Sequence, residues 1–273
     1  MDLRYTASAS RRGLQGAMPN SKYNWPEFWV LWVAGMLGTI AVLPYVSTLL
    51  AEKLKEIPLP LPVILLLQLA QTAVLLALAV ALGLYLAGRT GLSAPLVEAW
   101  LAKENVAERF KGILLPSVAW GTLVATLILI FEIAFFRPYL PAALQQAAPA
   151  AWQGLLASFY GGIVEEIFLR LFLLNLIAWL LIKMSKAPAG ILPPLTFWIA
   201  NAIAALLFGL GHLPATKLLT PLTPILVGRA LLLNGIAGVI FGYLFWKRGL
   251  ESAILAHFSA DVLLHVAIVP NLS

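Results

Sequence analysis

The 273-residue chain contains no cysteine. Disulfides, thiolate catalysis, Cys-ligated zinc and iron–sulfur clusters are excluded at once. Charge is scarce as well. Asp, Glu, Lys and Arg make up 11% of the residues, whereas apolar residues make up 61%. Soluble domains carry about 25% charged residues, and a chain this poor in charge cannot cover the surface of a water-soluble particle. Disorder demands the opposite composition, low hydrophobicity with high charge. What remains is a polytopic membrane protein, an all-α bundle of about seven to eight transmembrane helices whose outer faces are solvated by lipid.

The charges that are present number 18 basic and 12 acidic, a formal net charge of +6. In a membrane protein such a surplus is expected in loops facing anionic cytoplasmic lipid. No basic groove with interleaved aromatics is evident, so nucleic acid is not an expected partner. Residues 1–26 read as a polar, basic tail with Arg4, Arg11, Arg12 and Lys22, and without the pattern of a secretory signal. Residues 27–273 read as one transmembrane helical domain.

A span needs about 20 apolar residues. Seven stretches qualify, near 27–50, 60–87, 112–136, 152–183, 192–212, 224–246 and 250–269. The fourth is long for one crossing, and its start, around Pro141 to Ala151, is expected along the interface. Lys and Arg favour the N-terminal side, through the tail, 88–111, Lys183 with Lys186, and Lys247 with Arg248. The other side has Lys53, Lys55, Arg137 and Lys217, so a cytoplasmic N-terminus is expected. Lys247-Arg248-Gly249 is a short connection for a helical hairpin.

An ionisable group at mid-bilayer costs about 2.5–3.5 kcal/mol on insertion scales, and persists where it pairs, lines a cavity or does chemistry. Such groups gather in three late spans. The fourth carries Glu165, Glu166 and Arg170, the fifth ends on Phe208 and His212, and the seventh carries His257, Asp261 and His265. All three histidines of the chain are in these sets. Glu166 and Arg170 are four apart and share a helix face, so an ion pair is expected. Glu165 is rotated about 100° from Glu166 at 3.6 residues per turn and is left to face something else. His257 and Asp261 are also four apart. Three helices could thus point Glu165, His212, His257 and Asp261 into one cavity. A carboxylate in apolar surroundings takes up a proton more readily than one in water, and histidines can hold water, donate to an oxyanion or bind metal. For Glu166 with Arg170 alone, helix packing is the simpler account. For Glu165 with His212 and His257 on three spans, hydrolysis is.

The patterns EExxxR at Glu165–Arg170, FxxxH at Phe208–His212 and HxxxD at His257–Asp261 resemble the motifs of the CPBP family. These are the CAAX protease and bacteriocin-processing (ABI) intramembrane proteases, among them the Ras-converting CAAX prenyl endopeptidase. The resemblance covers about residues 150–270. It implies a membrane-embedded hydrolase cutting a membrane-associated or lipidated protein or peptide. Glu165 then resembles the glutamate that activates water, Glu166 and Arg170 its supporting pair, with Phe208 alongside, and His212 the assisting histidine. His257 and Asp261 resemble the pair at the oxyanion. Many members have Asn where Asp261 stands. A carboxylate donates no hydrogen bond unless protonated, so Asp261 is better suited to orienting His257. Glu165, His212 and His257 also carry donor atoms that zinc accepts, so a metalloprotease and a metal-free glutamate protease both stay open. No organic cofactor is expected.

Other membrane proteases fit less well, since HExxH, GxSG, YD and GxGD are all missing. Two other classes compete. One is a catalytically silent membrane subunit or chaperone of the same type that binds a partner membrane protein. The other is a proton-coupled carrier, against which the lack of repeated halves counts. Among secondary features, Gly238 and Gly242 form GxxxG, read as close helix packing. Glu132 and Arg137 are expected to snorkel to the interface. Arg229 and Asn234 are polar, and a substrate contact is not the expectation for either.

Overall fold

The computed structural model describes residues 24–141, 149–185 and 192–268. Residues 1–23 of the expected tail 1–26, residues 142–148 of the expected interfacial stretch and Lys186 lie outside the described residues. Among the described residues seven helices are long and apolar enough to cross a membrane: Trp25–Leu49, Leu61–Thr90, Ala107–Tyr139, Ala151–Ser185, Pro194–Leu219, Pro224–Arg248 and Leu250–Ala267. They are the seven spans foreseen, in the same order. Leu66, Leu115 and Met184 point outward and are largely exposed, as side chains solvated by lipid should be.

Local chemistry sets the ends. Proline occupies the first turn of the second, fifth and sixth spans, where its missing N–H costs nothing. Asn24 caps the first span by accepting from Glu27 N at 3.4 Å, and Thr223 caps the sixth. Gly91, at φ 78°, ends the second span.

The fourth span lies at the centre. Val164, Ile167, Leu171 and Leu174 are fully buried, against the first, second, fifth and seventh spans. The span is one continuous helix of 35 residues. Two π-helical segments, Tyr160–Glu165 and Ile167–Leu174, interrupt its α-winding. Wider turns advance less per residue, so more chain fits one crossing; i→i+5 windings of this kind concentrate at functional sites.

The fifth and sixth spans run antiparallel in close contact. A Cβ on Gly242 would meet the Asn201 side chain, one on Gly238 Ala205 Cβ at 2.7 Å, and one on Gly209 Leu231 Cα at 2.8 Å. GxxxG thus serves packing inside the chain. The short turn into the seventh span works because Gly249 sits at φ 92°, outside the usual range of other residues. Leu250 N then donates to Ser93 O at 3.1 Å. Glu251 Oε1 accepts from Leu96 N and Val97 N, at 2.8 and 2.9 Å, at the start of the short helix Pro95–Leu101. The polar connection after the second span is thereby fastened to the seventh.

The third and seventh spans touch at Gly121, where a Cβ would run into the Ala256 carbonyl oxygen; Gly112, earlier in the third span, has open space. Gly121→Leu is expected to lower stability by about 1–3 kcal/mol through overpacking, and Gly112→Ala to leave it unchanged or raise it. Thermal unfolding in detergent would show this, and equal melting temperatures for the two variants would contradict the packing.

Candidate active site

Glu166 is completely buried. Its Oε1 lies 3.0 Å from Arg170 Nη1, the pair expected from their spacing. The same oxygen accepts from His257 Nδ1 at 2.8 Å. The acceptor is a carboxylate, so the Nδ1 hydrogen is on the ring and Nε2 is the nitrogen turned to the site. Arg170 Nη2 donates to Gly238 O at 3.1 Å, and its guanidinium stands over Phe208 and Phe241, 5.4 and 5.7 Å from the ring centres. Glu166 therefore joins the fourth span to the seventh directly and to the sixth through Arg170. Its second oxygen is buried without a hydrogen-bond partner among the described residues, a costly arrangement to keep for packing alone.

Glu165 faces elsewhere. Its side chain is 24% exposed, and its Oε2 lies 3.8 Å from His257 Nε2. Asp261 Oδ1 lies 3.7 Å from the same nitrogen. Both separations exceed hydrogen-bond length, so His257 Nε2 is flanked by two carboxylates and held by neither. Orienting His257, the role the sequence suggested for Asp261, is performed by Glu166. Phe241 stacks on the imidazole at 4.8 Å, and Phe208 meets it edge-on at 6.0 Å. Gly161 makes room for this group, since a Cβ there would collide with Asp261 Oδ2 and lie 3.2 Å from His257 Nε2.

His212 sits where the fifth span breaks between Pro194–Gly211 and Leu213–Leu219. Its backbone N–H turns to Gly209 O at 3.2 Å and does not reach Phe208 O, the α-helical partner. His212 Nδ1 takes up that carbonyl at 2.9 Å. Nδ1 is thus the protonated nitrogen and Nε2 a free acceptor. The ring meets Phe208 edge-on at 4.8 Å, and Glu165 lies within electrostatic reach of His212, His257, Asp261 and Glu166.

The structure thus brings Glu165, Glu166, Arg170, His257 and Asp261 together, with Phe208 beneath them and His212 at the edge. His265 is not in the set; it contacts Tyr45, 5.7 Å between ring centres. Phe241 was not foreseen, because an aromatic in an apolar helix carries no signal of its own. Neither was Tyr160, which is within electrostatic reach of Glu165. It precedes Glu165 by five residues, one π turn but not one α turn. Glu132 has a partner that its spacing did not reveal. It pairs with Arg229 across the third and sixth spans at 2.7 Å.

Glu165, His212 and His257 do not form a zinc cradle in this arrangement. Among the described residues no group of three His, Asp or Glu side chains is arranged to hold a metal.

The family model described as type II CAAX prenyl endopeptidase Rce1-like matches residues 147–263, a stretch that contains all three motifs. No curated protein and no solved structure matches the chain.

Removing Arg170 would strand the Glu166 charge in the core, a loss of about 3–5 kcal/mol. Arg170→Ala should give less folded protein in detergent and a lower melting temperature. Wild-type thermal stability in that variant would show that the pair does not hold the bundle.

Proposed function

We propose that the protein is an intramembrane endopeptidase, a reading supported by the match of residues 147–263 to the type II CAAX prenyl endopeptidase Rce1-like family model. Its substrate is a membrane-associated protein or peptide, and its nucleophile is a water activated by Glu165. One observation carries the assignment. Of two adjacent glutamates, Glu166 is buried and bound by Arg170 and His257, while Glu165 is partly open and hydrogen-bonded to neither.

The steps follow from the donors and acceptors present. Water lies between the Glu165 carboxylate and His212 Nε2, both acceptors. Glu165 takes one proton as the oxygen adds to the peptide carbonyl. The negative charge that develops on the carbonyl oxygen is met by His257 as an imidazolium, with Glu166 accepting at Nδ1 and Asp261 beyond Nε2. Glu165 then passes its proton to the leaving nitrogen as the C–N bond breaks. Phe208 and Phe241 shield the histidine and strengthen these charge interactions by keeping water away. Lysine and arginine in 88–111, at Lys183 and at Lys247–Arg248 support a cytoplasmic N-terminus.

Glu165→Gln keeps the shape and removes the proton acceptor. Cleavage of a membrane peptide by the purified protein should fall by about 10²–10⁴-fold, the usual value of a general base, with the melting temperature unchanged. Glu166→Gln should lower stability and cleavage together. Near-normal turnover in Glu165→Gln, or a stable but inactive Glu166→Gln, would reverse the assignment of the two glutamates.

A further inference from the structure

Water addition to a peptide carbonyl creates an oxyanion, and catalysis needs hydrogen-bond donors fixed around it. Around Glu165 such donors are few. Glu165, Glu166 and Asp261 are carboxylates, which only accept when ionised. Arg170 is spent on Glu166 and on Gly238 O. His212 commits its Nδ1 to Phe208 O and His257 its Nδ1 to Glu166. That leaves one His257 nitrogen and, on the helix of Glu165 itself, the Tyr160 hydroxyl.

The sixth span, which borders this group, carries the side-chain amide of Asn234. Phe241, stacked on His257, and Gly238, whose carbonyl binds Arg170, mark the inward face of that helix. At 3.6 residues per turn Asn234 falls between them, about 20° of arc from Phe241. Its depth matches too. Arg170, Gly238 and Phe208 form one layer, with Phe208 Cδ1 3.6 Å from a Cβ placed on Gly238. The fourth and sixth spans both run antiparallel to the seventh, and the fifth runs antiparallel to the sixth. From that layer, Glu165 lies about one turn back along the fourth span, Asn234 about one turn back along the sixth, and His212 about one turn forward along the fifth. All three steps go the same way across the membrane. Asn234 is half-buried. Its Nδ2 donates one hydrogen to Ala230 O at 2.9 Å, which fixes the amide plane and leaves the second hydrogen uncommitted.

We propose that Asn234 is a catalytic residue whose free amide hydrogen binds the carbonyl oxygen of the scissile peptide bond as it becomes an oxyanion, completing a pair of donors with His257. The inference rests on the endopeptidase reading. It explains how a site with Asp261, an acceptor, can still meet a developing negative charge with two donors.

The test uses the full chain in detergent or liposomes, a membrane peptide that the wild type cleaves, and a phosphonamidate version of that peptide. The phosphonamidate is tetrahedral and anionic where the carbonyl would be. Asn234→Leu should lower kcat by about 10²-fold, as loss of one oxyanion donor does, with KM changed by less than about twofold. Binding of the phosphonamidate should weaken in parallel while binding of the uncleaved peptide to Glu165→Gln does not. Asn234→Asp, of the same shape but without the N–H, should behave likewise and stands in if the leucine variant folds poorly. A folded variant with kcat within about threefold of wild type, or a loss confined to KM, overturns the assignment and leaves the endopeptidase reading intact. A wild-type protein that cleaves no membrane peptide overturns both.

Discussion

One oxygen atom, Glu166 Oε1, takes both Arg170 Nη1 and His257 Nδ1 at a point with no exposure at all. Away from water such contacts are strong when complete, and leaving any member unpaired is costly. Each partner is therefore held in one geometry. Arg170 is drawn across to Gly238, His257 is fixed in one orientation between Phe208 and Phe241, and three helices acquire a common depth. The same bonding holds one Glu166 oxygen between two partners and leaves Glu165 bonded to neither, so two neighbouring carboxylates stand in different surroundings.

Such a knot needs helices that approach closely, and lipid supplies no hydrophobic force to press them together. Small residues make the approach possible. Gly161 admits Asp261 and His257 to the fourth span, Gly121 admits the seventh to the third, and Gly238 and Gly242 admit the fifth to the sixth. Polar bonds then secure the contacts where side chains are buried. Ser117 meets Ser252 at 2.7 Å, and Asn175 is bound by Thr90, Leu92 O and Leu171 O.

The sequence made the spans and the three motifs legible for one reason: in a chain with so little charge, Glu165, Glu166, Arg170 and Asp261 stand out against apolar surroundings. The ion pair at i,i+4 could be read directly. Other features were hidden by geometry that spacing does not encode. The π windings of the fourth span place Tyr160 near Glu165, which an α-helical wheel does not. The sharing of Glu166 by Arg170 and His257 depends on the crossing of two helices 91 residues apart in sequence. Glu251 belongs to no motif, yet it ties Leu96 and Val97 to the seventh span. Glu132 looked like an interfacial charge because its partner, Arg229, is 97 residues away.

The break at His212 also selects a chemical form. Where the helix loosens, the Phe208 carbonyl loses its backbone partner and the imidazole of His212 replaces it. Ending the helix and choosing the tautomer are thus a single event. A half-turn of the ring about its Cβ–Cγ bond would set a carbon–hydrogen edge against that oxygen and leave the carbonyl dry. The ring behaves as a bolt and not as a hinge, and the main chain itself keeps the basic nitrogen turned away from that carbonyl.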